Sequence, residues 1–489
     1  MERIITTKAR TIVLPRLSLT HVVSSDTPFA SKVALPDGSS PESYFVRPYL
    51  DEKVGKRFDD RPSWMGTQFN LFPVVVDSNG APWAEATVYL LSRLEGSLDP
   101  LMTTYSGIAK DLASFLQFIE ESGTDWTYFP RRKLERPTYR YRAQLRLSVS
   151  AGEMAASTAK RRIGTVIAFY RWLQREGVLN IENPPWVDSD RYIQFTDSQG
   201  QRQSMKVRTT DLRISAPKTD DPYSELIEDG GKLRPLPEVE QRWLLDALAN
   251  LGNTELTLIH LFAILTGARI QTILTFRVRH VLERRLLATD SGEVRIPVGP
   301  GTGIDTKDDK KMVLHIPVWF YESLSQYAQS ERAIKRRIRA KGGDSPDQYL
   351  FLSARGAPLY VSKAEAKEYN DENVLRHTKD GQAVRQLIRD YIIPNIQLTH
   401  DPKFAYRFHD MRATFGMNLT DEQLKRVSSG EITLHQAREF VKTRMGHESA
   451  ATTDLYLQYR GRLKFIRRVN IEYDEHLKTI AANALMATS

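Results

Sequence analysis

Apolar positions along the chain fall into several regimes. Residues 1–95 mix Pro, Ser and Thr with short β-prone runs such as Phe72 to Val76 and show no long helical period, which predicts a small irregular or β-containing extension. Between Leu101 and Ser122, Ile108, Leu112, Phe115, Leu116 and Ile119 recur at three-and-four spacing, one face of an amphipathic helix. A second helix follows, with Ser157 as its N-cap, a stripe of Ile163, Val166, Ile167, Tyr170 and Leu173, and Gly177 at its end. Residues 96–185 therefore read as a small helical domain. Residues 186–235 alternate around the Ser198-Gln199-Gly200 turn and carry Pro217 and Pro222, a linker with a hairpin. From Leu236 the pattern predicts helices over about 237–251 and 255–266, strands over 293–298 and 312–316, and further helices to about 470. Residues 471–489 form a short C-terminal segment with apolar Ile480, Ala481 and Leu485. The expected fold class is multidomain, mainly α with small β elements: a helical domain, a mixed α+β domain and an irregular or β N-terminal extension.

Composition narrows the chemistry. The 489 residues are 41% hydrophobic and 26% charged, an ordinary globular balance that excludes wholesale disorder. No cysteine is present, which excludes a disulfide framework, a thiol nucleophile, a thiolate zinc site and an iron–sulfur cluster. No apolar run approaches the roughly 18 residues needed to cross a bilayer, and the expectation is a cytoplasmic, nucleoid-associated protein without a membrane partner. The net charge of +9 is carried by residues beyond 100, since the first hundred are slightly acidic. That excess points toward a polyanion. Candidate DNA-binding residues are Arg131, Arg132, Lys133, Arg136, Arg140 and Arg142, interleaved with Tyr139 and Tyr141, then Arg161 and Arg162, and Lys335, Arg336 and Arg337 in the acid-free run from Arg332 to Lys341. Each of these runs is also compatible with a solvated face.

Chemistry-bearing residues gather in the last 230 positions. In order they are Arg269 at a break after an apolar helix, Lys307 between the two predicted strands, His409 and Arg412 in one H-x-x-R group, His447 after Gly446, and Tyr456. Each is weak alone; together they furnish a phosphodiester site that needs no metal. Two guanidiniums clamp non-bridging oxygens with paired, charge-assisted bonds. A phenol is a poor nucleophile until it is positioned and its proton has a recipient, which His409 or His447 supplies. A flexible lysine protonates the leaving oxygen.

These residues carry a resemblance. The run TGARIQTIL resembles the first arginine box of the tyrosine recombinases, or phage integrases. TKDDKKMVLHIP resembles their β-hairpin lysine region, FHDMRATFGMNL their H-x-x-R box, and MGHESAATTDLYLQY their Gly-His to Tyr box with its nine-residue step. The likeness covers roughly residues 236–470 as a catalytic domain, and more weakly 96–185 as a helical core-binding domain. It implies that Arg269 and Arg412 hold the scissile phosphate, that Lys307 protonates the leaving 5′ hydroxyl, that His409 and His447 assist proton transfer, and that Tyr456 forms a 3′-phosphotyrosyl link. It also implies double-stranded DNA as substrate and neither cofactor nor metal. A homo-oligomer forming a tetrameric synapse is implied too, with the C-terminal segment packing on a neighbour and room for accessory directionality proteins. The large N-terminal region suggests integration or excision of a mobile element.

The chain departs from the family at Thr272, where an acidic residue is common, and Lys310, Lys311 and Tyr459 compete with the assigned lysine and tyrosine. Alternatives are a DNA-binding architectural or regulatory protein that kept the fold without the chemistry, and a type IB topoisomerase-like enzyme. Gly299 to Gly303 is a turn and no P-loop, for no Gly-Lys-Ser/Thr follows, and His447-Glu448 lacks the second histidine of a zinc protease, since position 451 is Ala451.

Overall fold

The computed structural model describes residues 8–18, 20–26, 31–33, 44–48, 68–95, 100–196, 201–216, 226–282, 292–367 and 377–486. The chain divides into two units, residues 1–219 with 367–378, and residues 220–366 with 379–489. It is mainly helical with small sheets.

In the first unit, β1 (Arg10–Ser18) pairs antiparallel with β5 (Gln68–Val76), while β2 (Thr20–Val23), β3 (Ser31–Val33) and β4 (Tyr44–Pro48) form a sheet of order β2-β4-β3. Helix α1 (Ala84–Glu95) follows, in a stretch whose sequence shows no long helical period; Ala86, Tyr89, Leu90 and Leu94 give it a buried stripe too short to stand out. The predicted amphipathic segments become α2 (Met102–Ser122) and α4 (Ala156–Arg175), with α3 (Pro137–Ser150) between them. Ala155 rather than Ser157 is the N-cap of α4, and Gly177 takes the left-handed conformation just past its end. One core receives Phe72 and Val75 from β5, Leu90 from α1, Leu112 and Phe115 from α2 and Phe169 from α4, so it draws on both sides of residue 95. Strands β6 (Asp188–Thr196) and β7 (Arg202–Thr210) form the expected hairpin; its tip at 198–200, Pro217 and Pro222 lie outside the described residues.

The second unit opens with a tight hairpin, β8 (Ile227–Glu228) and β9 (Lys232–Leu233). Helices α5 (Glu238–Leu251) and α6 (Thr254–Thr266) follow, within a residue of the expected spans. Short α7 (Ile270–Leu274) and α8 (Arg279–Leu282) lead to β10 (Glu293–Val298), antiparallel to β11 (Met312–Pro317) from Glu293↔Pro317 to Val298↔Met312. Helices α9 (Val318–Gln329), α10 (Glu331–Arg339), α11 (Lys363–Lys367), α12 (Gln382–Leu387) and α13 (Ile393–Thr399) precede α14 (Asp410–Ser428), α15 (Leu434–Met445) and α16 (Ala450–Met486). Leu248, Ile259, Phe262, Phe276, Ile316 and Phe320 fill the main core, and a smaller one gathers Ile227, Leu233, Phe415, Met445, Tyr456 and Tyr459. Among the described residues, no helix is long and apolar enough to cross a membrane.

Candidate active site

Each element end delivers one functional side chain. Helix α6 stops at Gly267, whose φ of +66° favours glycine and where a Cβ would stand 2.5 Å from Phe415 Cδ1. This turn presents Arg269 as the N-cap residue of α7. His409 and Arg412 open α14, His447 follows the left-handed Gly446 that ends α15, and Tyr456 lies near the start of α16. Lys307 begins a single 3-10 turn between β10 and β11.

Arg412 ties these pieces together. Its Nη1 donates to the Gly267 carbonyl at 3.0 Å, its Nη2 to the Met445 carbonyl at 2.7 Å, and its Nε to Asp229 Oδ2 at 2.8 Å. The same Asp229 oxygen lies 3.2 Å from His447 Nε2 and accepts from the Tyr456 hydroxyl at 3.1 Å. His447 stacks on the Tyr456 ring with centroids 5.6 Å apart, and its Nδ1 lies 2.9 Å from Thr453 Oγ1. A carboxylate only accepts, so Nε2 carries a proton toward Asp229, while Nδ1 shares a hydrogen bond with the Thr453 hydroxyl.

Arg269 and Lys307 meet on the other side of the hairpin turn. A Cβ on Gly230 would stand 3.6 Å from Arg269 Nη2 and 3.5 Å from Lys307 Nζ. Lys310 is committed elsewhere, donating to the Gly446 carbonyl at 2.7 Å and pairing with Glu448 at 3.3 Å. A cleft is lined by Arg269, Arg412, Lys307, Lys310, Thr272 and Gly446. Of the rivals weighed against Lys307 and Tyr456, Lys310 props the Gly446 loop and Tyr459 packs in the small core.

Electrostatics follow this geometry. Burial works to raise the Asp229 carboxyl, yet the hydrogen bond from His447 and the charge of Arg412 hold it well below the usual carboxylate range. Burial, and then the adjacent Asp229 charge, push the Tyr456 phenol far up. Burial, followed by the charges of Arg269 and Arg412, lowers His409 and favours its neutral ring. Burial and the neighbouring Arg412 charge lower Arg269 as well. Asp229 escapes the sequence reading because it is 183 residues from Arg412 and 227 from Tyr456. The one available hint was Thr272, which leaves an acidic partner to be found elsewhere.

The predicted DNA-binding residues divide. Arg131, Arg132, Arg140 and Arg161 are exposed, although Arg140 reaches Thr124 Oγ1 and Arg161 pairs with the buried Asp111. Lys133 pairs with Asp211 and lies over Tyr139, Arg142 is half-buried, and Arg162 donates to Ser114 Oγ at 2.9 Å. Arg136 is buried and donates to the carbonyls of Pro130, Pro184 and Arg131. On α10, Arg336 and Arg337 are bonded within the fold, while Lys335 is exposed. Arg336 binds the buried Glu255 at 2.8 Å and the Leu352 carbonyl at 2.6 Å, buried Arg337 binds Asp344 at 2.6 Å, and Lys335 pairs with Glu331 at 2.8 Å.

No family model matches the chain, and no curated protein matches it. Solved structures do. XerH site-specific recombinase bound to palindromic difH substrate, a post-cleavage complex, matches at 13% identity over 78% of this chain and 88% of its own, with a TM-score of 0.45. The Tn1549 transposon integrase in complex with a circular intermediate DNA matches at 11% identity over 76% and 94%, with a TM-score of 0.42. A lambda integrase dimer bound to a COC′ core site matches at 15% identity over 77% and 96%, with a TM-score of 0.40. These three structures, each similar to about 77% of this chain at low identity, are of tyrosine recombinases.

Proposed function

We propose that the chain is a site-specific DNA recombinase that cleaves and rejoins DNA through a 3′-phosphotyrosyl intermediate, integrating or excising a mobile element. One observation carries this reading: a single anionic oxygen sits within 3.2 Å of a guanidinium, an imidazole and a phenol, with a second guanidinium and a lysine across the adjoining turn. A phosphodiester seated there meets every group the exchange needs. The Tyr456 oxygen attacks phosphorus and its proton passes to His409 or His447. Arg269 and Arg412 neutralise the charge that builds on the non-bridging oxygens. The bond to the 5′ oxygen breaks, and Lys307 protonates that oxygen. The phosphodiester energy stays in the tyrosyl ester, so another 5′ hydroxyl reverses the step without ATP. The proposed partners are double-stranded DNA and further copies of the chain in a tetrameric synapse.

The test is a nicked suicide duplex carrying the sequence the protein selects from random DNA, incubated in EDTA and resolved on a denaturing gel. A covalent adduct is expected with the wild type and with Tyr459→Phe, and none with Tyr456→Phe. Binding without any adduct overturns the reading in favour of a DNA-binding protein that has no chemistry.

A further inference from the structure

We infer that the Asp229 carboxylate occupies the seat of the substrate phosphate, so that the site is closed by its own chain until the β8–β9 hairpin withdraws. This regulation rests on the recombinase reading for its substrate. Its evidence is geometric. An attack on phosphorus requires the phosphorus within about 3–3.5 Å of the phenol oxygen, and Asp229 Oδ2 already stands 3.1 Å from it. The Arg412 Nε and His447 Nε2 that would face the phosphate also point at that oxygen. A carboxylate and a phosphodiester are both anions that accept from the same donors, and the two cannot share one seat.

Tyr456 is 0% exposed, and the side chains of Arg412 and His447 are 5% and 3% exposed. Ile227 and Leu233, the two ends of the hairpin, are buried in one cluster with Tyr456. A phenol sealed in this way is out of reach of a DNA backbone. Arg269 and Lys307, by contrast, have no hydrogen-bond or ion-pair partner among the described residues, and Lys307 is exposed. Asp229 thus engages Arg412 and His447 and leaves Arg269 and Lys307 without a hydrogen bond to it. The turn carries Gly230 and Gly231, whose φ of +67° and +155° favour glycine and which bring no side chain to the cleft.

Asp229→Asn keeps the shape and removes the charge. Titrated with inorganic phosphate and followed by phosphorus NMR, this variant is expected to bind at least tenfold more tightly than the wild type. On the nicked suicide duplex it is expected to form the adduct several-fold faster. Unchanged phosphate affinity, or slower adduct formation in a variant of wild-type stability, overturns the inference and makes Asp229 a positioning residue. If neither protein forms an adduct while the variant gains phosphate, the carboxylate still caps an anion site and it is the recombinase reading that falls. Should Asp229→Asn not fold, Ile227→Cys decides, because the chain has no other cysteine. Its thiol is expected to be protected from a thiol reagent in the free protein and to react once duplex DNA is added. A thiol that stays protected with DNA bound overturns the inference.

Discussion

Gly416 shows how closely the site is packed at the scale of one residue. It lies inside α14, where a Cβ would stand 2.4 Å from Tyr456 Cε1 and 2.9 Å from Met445 Cε. Alanine in a helix ordinarily gains about 1 kcal/mol over glycine, but forcing a methyl against a rigid buried ring costs about 1–3 kcal/mol. The expected outcome for Gly416→Ala is a net loss of up to about 2 kcal/mol in chemical unfolding, together with less Tyr456 adduct. Gly164, inside α4 with nothing within 4 Å of its would-be Cβ, is the control, and Gly164→Ala is expected to stabilise. The groups named for chemistry were legible residue by residue because each lies in a short run at the end of one element: TGAR at a helix stop, H-x-x-R at a helix start, Gly-His after another helix. Asp229 was not legible, since its role arises only when a two-residue strand folds back across a site assembled from distant segments.

At the scale of the element, α6 shows what periodicity conveys and what it hides. Its apolar run announces a buried helix, but two polar residues within it become intelligible only through partners far along the chain. Glu255 accepts from Arg332, Arg336 and Tyr327, which turns the basic face of α10 into a structural clasp. His260 is fully enclosed, with Nδ1 donating to the Leu256 carbonyl at 2.8 Å and Nε2 accepting from the Tyr406 hydroxyl at 3.0 Å. Burial pushes this imidazole down to about 4, below the ordinary 6.5. The unfolded chain therefore binds the proton first as pH falls. Stability contributed by the neutral ring is fully present above about pH 6.5 and is lost between there and about pH 4, at up to roughly 1.4 kcal/mol per pH unit. Denaturant unfolding followed across that window is expected to show this slope in the wild type and a shallower one in His260→Asn. Equal slopes would place the proton elsewhere.

For the whole molecule, the question is which of its positive charges are available to DNA. The net +9 signals a polyanion but does not distinguish charges held out to solvent from charges spent on the fold. Arg132 and Arg136 lie four residues apart in one basic run, and nothing in the run separates them. The Arg132 side chain is 84% exposed and pairs with Glu135 at 3.3 Å. Arg136 is 7% exposed, and its guanidinium closes three loop carbonyls, two of them from nearby residues and one from Pro184. A solvated arginine that meets a phosphate releases a counterion, and each such contact adds about one unit to the slope of log K against log salt. Arg132→Ala is therefore expected to weaken duplex binding evenly across sequences and to lower that slope by about one, with stability unchanged. Arg136→Ala leaves three carbonyls without their donor and is expected to cost about 2 kcal/mol or more in unfolding, while the salt slope of the folded protein stays as it was. A fluorescence-anisotropy titration at several salt concentrations, paired with a denaturant melt of each variant, separates the two roles. If Arg136→Ala lowered the slope and spared the melt, its side chain would leave those carbonyls in solution to meet DNA, and the division between binding and structural arginines drawn from burial would fail.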